Sequence, residues 1–171
     1  DLIAVARYLD GGIGNGLAFL AALGFDAAYP ELDLESYLND RGRQLMEDGR
    51  DTCLVSVDGI ATLAGTAFTR ISDFTTTNPL ETEAWQRRLN ANKLGSDAPA
   101  VPVFMGHAQL DELIPIAQAR QLRSDWCSQG ANVTWKTYLL VEHALGMLWT
   151  QPDAFRFLND RFAGRQTRGN C

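Results

Sequence analysis

The fold can be inferred from the stretch VPVFMGHAQLD, residues 101–111. Its first part, residues 101–106, is a continuous apolar run, which is typical of a strand buried on both faces in a parallel sheet. A polar loop from His107 to Asp111 follows. A helix opened by Pro115 and ended by Gly130 then leads to a second predicted strand over Val133–Leu140. This order of strand, helix and strand predicts an α/β fold with a parallel sheet.

Two chemically active side chains follow the predicted strands. Asp111 lies in the loop after the first strand, and His143 lies in the loop after the second. In open α/β sheets the reactive groups lie beyond the carboxyl ends of the strands. The order of acid and then histidine matches the last two members of the Ser-Asp-His triad of α/β-hydrolases. We therefore expect the side chains of Asp111 and His143 to converge at one edge of the sheet.

Each of these residues also has an ordinary interpretation when it is taken alone. Asp111 is typical of a helix N-terminus, where the dipole favours a carboxylate, and His143 is compatible with a solvated loop. His107 is the other histidine of the chain and is interpreted as a loop hydrogen-bonding residue. Glu112 and Glu142 are the nearest substitutes for the acid, and we interpret both as flanking residues. The catalytic interpretation depends on Asp111 and His143 together.

The sequence lacks a recognisable nucleophile. The elbow that carries a catalytic serine has the pattern Gly-x-Ser-x-Gly between a strand and a helix. No serine of the chain fits it; the serines are Ser36, Ser56, Ser72, Ser96, Ser124 and Ser128. Cys53 has no strand-turn-helix context. The glycines of residues 12–16 are interpreted as a helix break rather than a dinucleotide site, and no Cys/His spacing suits zinc. We expect no cofactor and no metal.

Composition excludes several classes of function. Asp and Glu outnumber Lys and Arg by 21 to 15, so the net charge is -6, which argues against nucleic acid or an anionic membrane as a partner. No apolar run is long enough to predict a membrane span. The chain begins at Asp1 without a signal-peptide pattern, which suggests a mature, processed or partial chain. Two strands do not make a stable parallel sheet, so we expect more of the core upstream.

The cysteines are Cys53, Cys127 and Cys171, and an odd number in a secreted protein leaves one thiol to pair elsewhere. A terminus frays unless it is tied down, and a disulfide from Cys127 to Cys171 would do this. Closing that loop is worth roughly 4 kcal/mol in the chain-entropy model. The alternative is three free thiols in a cytosolic protein.

The first half of the chain is predicted to be mostly helical and irregular. Helices are predicted near Leu2–Leu9, over Leu17–Leu23 with Gly24 as C-cap, near Asp40–Asp48 and over Glu81–Asn92. Residues 55–79 show no clear hydrophobic period of a helix or a strand. In the second half, a last helix is predicted to start at Thr150 with Asp153 in a near capping box. Its buried stripe is predicted to be Phe155, Leu158 and Phe162.

Short motifs along nearly the whole chain resemble the secretory lipase family of fungi and actinobacteria, of the lipase A type. They occur in a fixed order, which makes the set more specific than any one of them. The stretches are residues 1–2, 9–12, 28–32, 38–42, 92–95, 100–103, 106–115, 126–131, 142–143 and 160–164.

The resemblance implies a secreted serine esterase that acts on ester or lipid substrates. Residues 1–97 would be mostly a helical cap, in which Leu17–Leu23 lines an acyl-chain tunnel, and residues 98–171 would be the C-terminal part of the α/β-hydrolase core. Asp111 and His143 take the family's acid and histidine positions. The serine and the oxyanion-hole donors would lie upstream, in the missing N-terminal half.

The resemblance also implies a pairing for each cysteine and leaves alternative functions open. Cys127 would pair with Cys171, and Cys53 would pair with a cysteine upstream. Because the serine is absent, an inactive truncated product or a lipid-binding cap module is an alternative. Another α/β-hydrolase chemistry, such as peptidase or acyltransferase activity, is a further one, since the triad serves all of these reactions.

Overall fold

The computed structural model describes residues 1–50 and 52–171. The chain divides into two compact units, Asp1–Asn92 and Lys93–Cys171. The division falls after Asn92 and not after residue 97, where the sequence predicted it. The prediction that the first unit is a cap stays a prediction.

The first unit is helical, as its sequence suggests. Its α-helices are α1 (Leu2–Leu9), α2 (Asn15–Ala28), α3 (Asp40–Arg50), α4 (Val57–Thr66) and α5 (Glu83–Ala91). Short 3-10 turns lie at Pro30–Leu32, Leu34–Tyr37, Ile71–Asp73 and Pro79–Glu81. The core of the unit consists of Leu32, Leu34, Leu38, Met46, Leu80, Trp85 and Leu89.

Two predictions for this unit were wrong. Helix α2 continues through Gly24 to Ala28, and Tyr29 is its C-cap immediately before Pro30. Helix α4 was not predicted. Its N-cap is Ser56, whose hydroxyl accepts a hydrogen bond from the Gly59 N–H at 3.0 Å. The apolar residues Val57 and Ile60 of α4 are 84% and 60% exposed, whereas its buried residues are Gly59 and Thr66, so the buried face gives no apolar helical period.

The second unit has a parallel pair of strands between helices. Strand β1 (Val103–Ala108) pairs with β2 (Val133–Tyr138), with Val103 opposite Val133 and Ala108 opposite Tyr138. Helix α6 (Ile116–Ser128) connects the strands, and helix α7 (His143–Phe162) follows β2. This arrangement confirms the predicted strand, helix, strand order. Within the described residues β1 is mostly half-buried rather than fully buried, because β2 is its partner on one edge only.

Helix α7 begins at His143, so the predicted start at Thr150 was wrong. The Glu142 carboxylate caps it, and Pro152 lies inside it. Thr150 and Asp153, which suggested a cap, instead bond elsewhere: the Thr150 hydroxyl donates to the Gly146 carbonyl, and Asp153 accepts from Tyr138.

The predicted buried stripe of α7 was also wrong. Phe155, Leu158 and Phe162 are 62%, 47% and 89% exposed. The face toward β1 instead contains Gly146, Thr150 and Phe157. A β-carbon on Gly146 would stand 2.5 Å from Ala108, and a β-carbon on Gly106 of the strand would stand 2.6 Å from Thr150. The ring of Phe157 lies 5.9 Å from that of Phe104. The spacing of these residues follows the helical repeat from Gly146, so the close approach at Gly146 sets the rotation of the helix.

The C-terminal tail is held against the outer edge of β2. Asn170 bonds this edge through its backbone N–H, which donates to the Val133 carbonyl, and through its side-chain amide, which bonds both the N–H and the carbonyl of Trp135. The predicted disulfide between Cys127 and Cys171 is present, with Cα atoms 5.5 Å apart. Cys53 is exposed and free among the described residues.

No helix in the part of the chain that the structure describes is long and apolar enough to cross a membrane.

Candidate active site

Asp111 lies directly beyond the end of β1. Its side chain is only 6% exposed, and Oδ1 accepts hydrogen bonds from the backbone N–H groups of Leu113 at 3.0 Å and Ile114 at 2.7 Å. A short aspartate side chain reaches the backbone two and three residues ahead, which is why this residue type closes such loops. The two N–H donors fix the carboxylate in one orientation.

His143 is the first residue of α7, not a loop residue as predicted. The Glu142 carboxylate accepts from the N–H groups of Ala144 at 2.6 Å and Leu145 at 2.9 Å, so it binds donors that the first turn leaves unpaired. The N–H of His143 itself donates to Glu112 Oε2 at 3.2 Å. Glu112 therefore bonds the backbone of His143, and Glu142 bonds the backbone of the two residues that follow it.

The structure brings Asp111 and His143 together, as the sequence analysis expected. Nδ1 of His143 lies 3.0 Å from both carboxylate oxygens of Asp111. A carboxylate only accepts, so Nδ1 carries the proton of the neutral ring and Nε2 has a free lone pair. The His143 side chain is 44% exposed, and in residues 1–50 and 52–171 Nε2 forms no hydrogen bond. The catalytic roles of the two residues stay predictions.

His107 lies in β1 rather than in the loop that the sequence predicted. Its Nε2 donates to the carbonyl of Ile114 at 2.9 Å and lies 3.6 Å from Asp111 Oδ2. Its ring stacks on that of Trp135, with centroids 6.3 Å apart and planes inclined by 13°. The side chain is 13% exposed. His107 is a hydrogen-bonding residue, as interpreted, and it lies behind the acid.

An open cleft of about 440 Å³ lies beside the pair and exposes His143, whereas Asp111 stays buried at its wall. The cleft is mostly apolar, and its walls include Ile114, Met147 and Ala154 next to Asp111 and His143. An imidazole with a free Nε2 at the wall of such a cleft can accept a proton from a hydroxyl group that enters it. We call this feature the His143 cleft.

A second polar cluster anchors α7 behind the site. Tyr138 of β2 donates its hydroxyl to Asp153 Oδ2 at 2.7 Å, and Lys136 Nζ lies 2.5 Å from the same oxygen. Burial and, next, the hydrogen bond to Asp153 raise the pKa of Tyr138 to about 12. Hydrogen bonds from Lys136 and then Tyr138 lower the pKa of Asp153. Sequence reasoning missed this cluster because its members are 15 and 17 residues apart.

Among the described residues, no serine hydroxyl is hydrogen-bonded to His143, whose partners are Asp111 and Glu112. Ser96 and Ser128, in the same unit, bond Asp97 and the Asp125 carbonyl respectively. Among the residues described, no group of three or more His, Cys, Asp or Glu side chains is arranged to hold a metal ion.

Comparison with solved structures reveals the same fold. The chain superimposes on the X-ray structure of Candida antarctica lipase A in its closed state with a TM-score of 0.86 at 22% identity, over 100% of this chain and 41% of that one. The similarity shows the fold, which is part of an α/β-hydrolase with a largely helical portion, as predicted.

Sequence comparison identifies relatives and a family. The chain is 32% identical to a secreted triacylglycerol lipase of Malassezia globosa, over 96% of this chain and 36% of the relative. It is also 32% identical to a probable inactive lipase of Mycobacterium tuberculosis, over 96% of this chain and 37% of the relative. The chain thus spans little more than a third of the length of these relatives. A model of the secretory lipase family matches residues 1–170. This match and the secreted relatives assign the protein to the extracellular space, as predicted. The chain belongs to the secretory lipase family.

Proposed function

We propose that this chain supplies the acid and the histidine of a carboxylic ester hydrolase. The observation that carries the proposal is the contact at 3.0 Å between His143 Nδ1 and both oxygens of Asp111, with Nε2 free at the His143 cleft. In this proposal the serine is provided by sequence upstream of residue 1, in the part of the relatives that this chain does not span.

The proposed chemistry follows from the protonation of the ring. Nε2 takes the proton of the serine hydroxyl while the serine oxygen bonds to the ester carbonyl carbon. The resulting imidazolium returns this proton to the departing alcohol, which leaves an acyl-enzyme that water hydrolyses by the same steps. Asp111 keeps the proton on Nδ1 and stabilises the imidazolium. The two backbone donors to Asp111 Oδ1 hold the acid in place during both steps.

The proposed substrates are esters with an apolar acyl group. The Malassezia relatives are named triacylglycerol lipases. Within the first unit, an apolar cavity of about 70 Å³ is lined in part by Ala18, Phe19 and Ala22 of α2. It supports the proposal that this helix contributes to an acyl-binding cap.

An inactive protein is the second candidate, and one observation favours it. The mycobacterial relative, which is as similar as the Malassezia lipase, is named a probable inactive lipase. In that case the Asp111–His143 pair would be a structural remnant, and no ester would be turned over.

The test is hydrolysis of p-nitrophenyl esters by the protein that joins this chain to its upstream sequence. His143→Ala and Asp111→Asn should each lower kcat by about a thousandfold or more, since the members of a triad act as a unit. Asp160→Asn is the matched control, because among the described residues the Asp160 carboxylate pairs with Arg165 near the end of α7 and makes no contact with Asp111 or His143. Turnover retained in the His143 variant would refute the assignment. No turnover in the unsubstituted protein would favour the inactive candidate, and turnover of peptide bonds or acyl transfer in its place would indicate a related triad chemistry.

A further inference from the structure

We propose that His107 is a positioning residue, which holds the loop of residues 111–114 so that the Asp111 carboxylate faces His143. The proposal rests on the proposed function for its catalytic meaning, but its structural part can be measured without activity.

Ile114 is held by hydrogen bonds on both sides. Its N–H donates to Asp111 Oδ1 at 2.7 Å, and its carbonyl accepts from His107 Nε2 at 2.9 Å. The same nitrogen of His107 lies 3.6 Å from Asp111 Oδ2. Residue 114 is therefore bound on one side by the acid and on the other by the histidine behind it. If His107 is lost, the carbonyl loses its partner and the loop loses one of the contacts that orient the acid.

His107 is itself rigidly held. It lies in β1 opposite Thr137 of β2, and its ring stacks on Trp135. The indole Nε1–H of Trp135 donates to Thr137 Oγ1 at 3.0 Å, and the backbone of Trp135 is bonded in both directions by the side chain of Asn170. A side chain that is 13% exposed and fixed in this way can transmit its position to the loop.

The hydrogen-bond partners of the two histidines determine which ring nitrogen carries the proton. A carbonyl oxygen only accepts, so His107 carries its proton on Nε2, whereas His143 carries its proton on Nδ1 beside the carboxylate. The two histidines of the chain are thus opposite tautomers. Because there are only two, ring ¹⁵N signals can be assigned by substituting one of them.

The experiment compares His107→Leu with His107→Gln in the full 171-residue chain labelled with ¹⁵N-histidine. The terminal amide nitrogen of glutamine reaches about as far as Nε2 and can donate to the same carbonyl. We expect His107→Leu to weaken or broaden the Nδ1–H signal of His143 by exposing this proton to exchange, and we expect His107→Gln to keep it. In the protein that carries the upstream serine, His107→Leu should lower kcat about tenfold or more with little change in KM, because a small displacement of the acid acts on the chemical step.

The outcomes separate this proposal from the proposed function. An unchanged Nδ1–H signal and an unchanged kcat in a folded His107→Leu protein would overturn the positioning role, whether or not the protein is an esterase. If His107→Leu does not fold, His107→Gln decides alone: a retained His143 signal supports the role, and its loss in a folded protein overturns it. A complete protein without esterase activity, together with the expected difference between the two variants, would refute the proposed function and leave the positioning role intact.

Discussion

Gly146 of α7 lies so close to Ala108 of β1 that a β-carbon on Gly146 would stand 2.5 Å from the β-carbon of Ala108. We predict that Gly146→Ala forces the first turn of α7 away from the strand and moves His143, which begins that helix. Overpacking of this kind costs about 1–3 kcal/mol. Urea denaturation should show a lower midpoint for Gly146→Ala, and the ester hydrolysis proposed above should fall with it.

The matched control is Gly24→Ala, inside helix α2. Nothing lies within 4 Å of a β-carbon there, so alanine should stabilise that helix by about 0.5–1 kcal/mol. Combining Ala108→Gly with Gly146→Ala should restore part of the lost stability by making room on the strand. Equal midpoints for Gly146→Ala and the unsubstituted protein would contradict the packing described here.

Glu142→Ala is predicted to loosen the N-terminus of α7. The carboxylate accepts from two N–H groups of the first turn, at 2.6 and 2.9 Å, and alanine leaves both without this partner. Loss of an N-cap costs about 0.5–2 kcal/mol. Hydrogen exchange at the amides of Ala144 and Leu145 should become faster. Glu142→Asp keeps a capping carboxylate and should retain most of the protection; if it exchanged as fast as Glu142→Ala, the cap would not be the cause.

The contact between Tyr138 and Asp153 predicts a loss of stability in alkali. The folded protein raises the pKa of Tyr138 from 10.0 to about 12, chiefly through burial. A raised pKa stabilises the fold fully below pH 10 and loses that contribution as the pH rises toward 12, because the unfolded chain ionises first. The Tm of the unsubstituted protein should therefore fall faster between pH 10 and 11.5 than the Tm of Tyr138→Phe. If the Tm of the two proteins fell in parallel over this pH range, the result would argue against burial of the Tyr138 phenol.

For Asp153 we predict the opposite dependence of stability on pH, with a loss in acid. Its pKa lies below the usual value of 3.8, first because of the hydrogen bond from Lys136 and next because of that from Tyr138. A lowered pKa stabilises the fold above pH 3.8, and the contribution disappears as the pH falls through the lowered value. Asp153→Asn should show a flatter decline of Tm below that pH. If the Tm of Asp153→Asn and that of the unsubstituted protein declined equally in acid, Asp153 would not be held by Lys136 and Tyr138 in solution.

Removal of the disulfide is predicted to free the tail. The bond joins residues 44 positions apart, and loops of this length are worth roughly 4 kcal/mol in the chain-entropy model. The double variant Cys127→Ser, Cys171→Ser should unfold at lower urea concentration and exchange the Trp135 amide faster. Cys53→Ser is the control, since Cys53 is exposed and free in the described chain. A loss of stability in the control alone would show that Cys53 has a partner that the structure does not include.

The meeting of Asp111 and His143 could be predicted because each follows a strand, and parallel neighbouring strands end at one edge. The start of α7 could not be predicted from the sequence. Thr150, Pro152 and Asp153 imitate a helix N-terminus, and the choice of His143 as first residue depends on the Glu142 cap and on the close approach of Gly146 to β1. The exposure of Phe155 has the same origin, because the rotation of a helix is set by its closest contact.

The position of His107 was missed for a different reason. Its partner is the Ile114 carbonyl, a backbone group that carries no signal in the sequence. Helix α4 shows a related limit, since its apolar residues are exposed and leave no periodic pattern. A burial pattern can be inferred from residue types, but the direction of one carbonyl or the exposed face of a short helix requires coordinates.

The tail along β2 has a consequence for how this protein behaves among its own copies. An uncovered strand presents a row of N–H and C=O groups on which a neighbouring molecule can build a further strand, the first step toward aggregation. Asn170 occupies that row at Val133 and Trp135, and the bond between Cys127 and Cys171 keeps it there. Outside the cell, where disulfides persist, the segment around Asn170 thus protects this edge of the sheet from self-association.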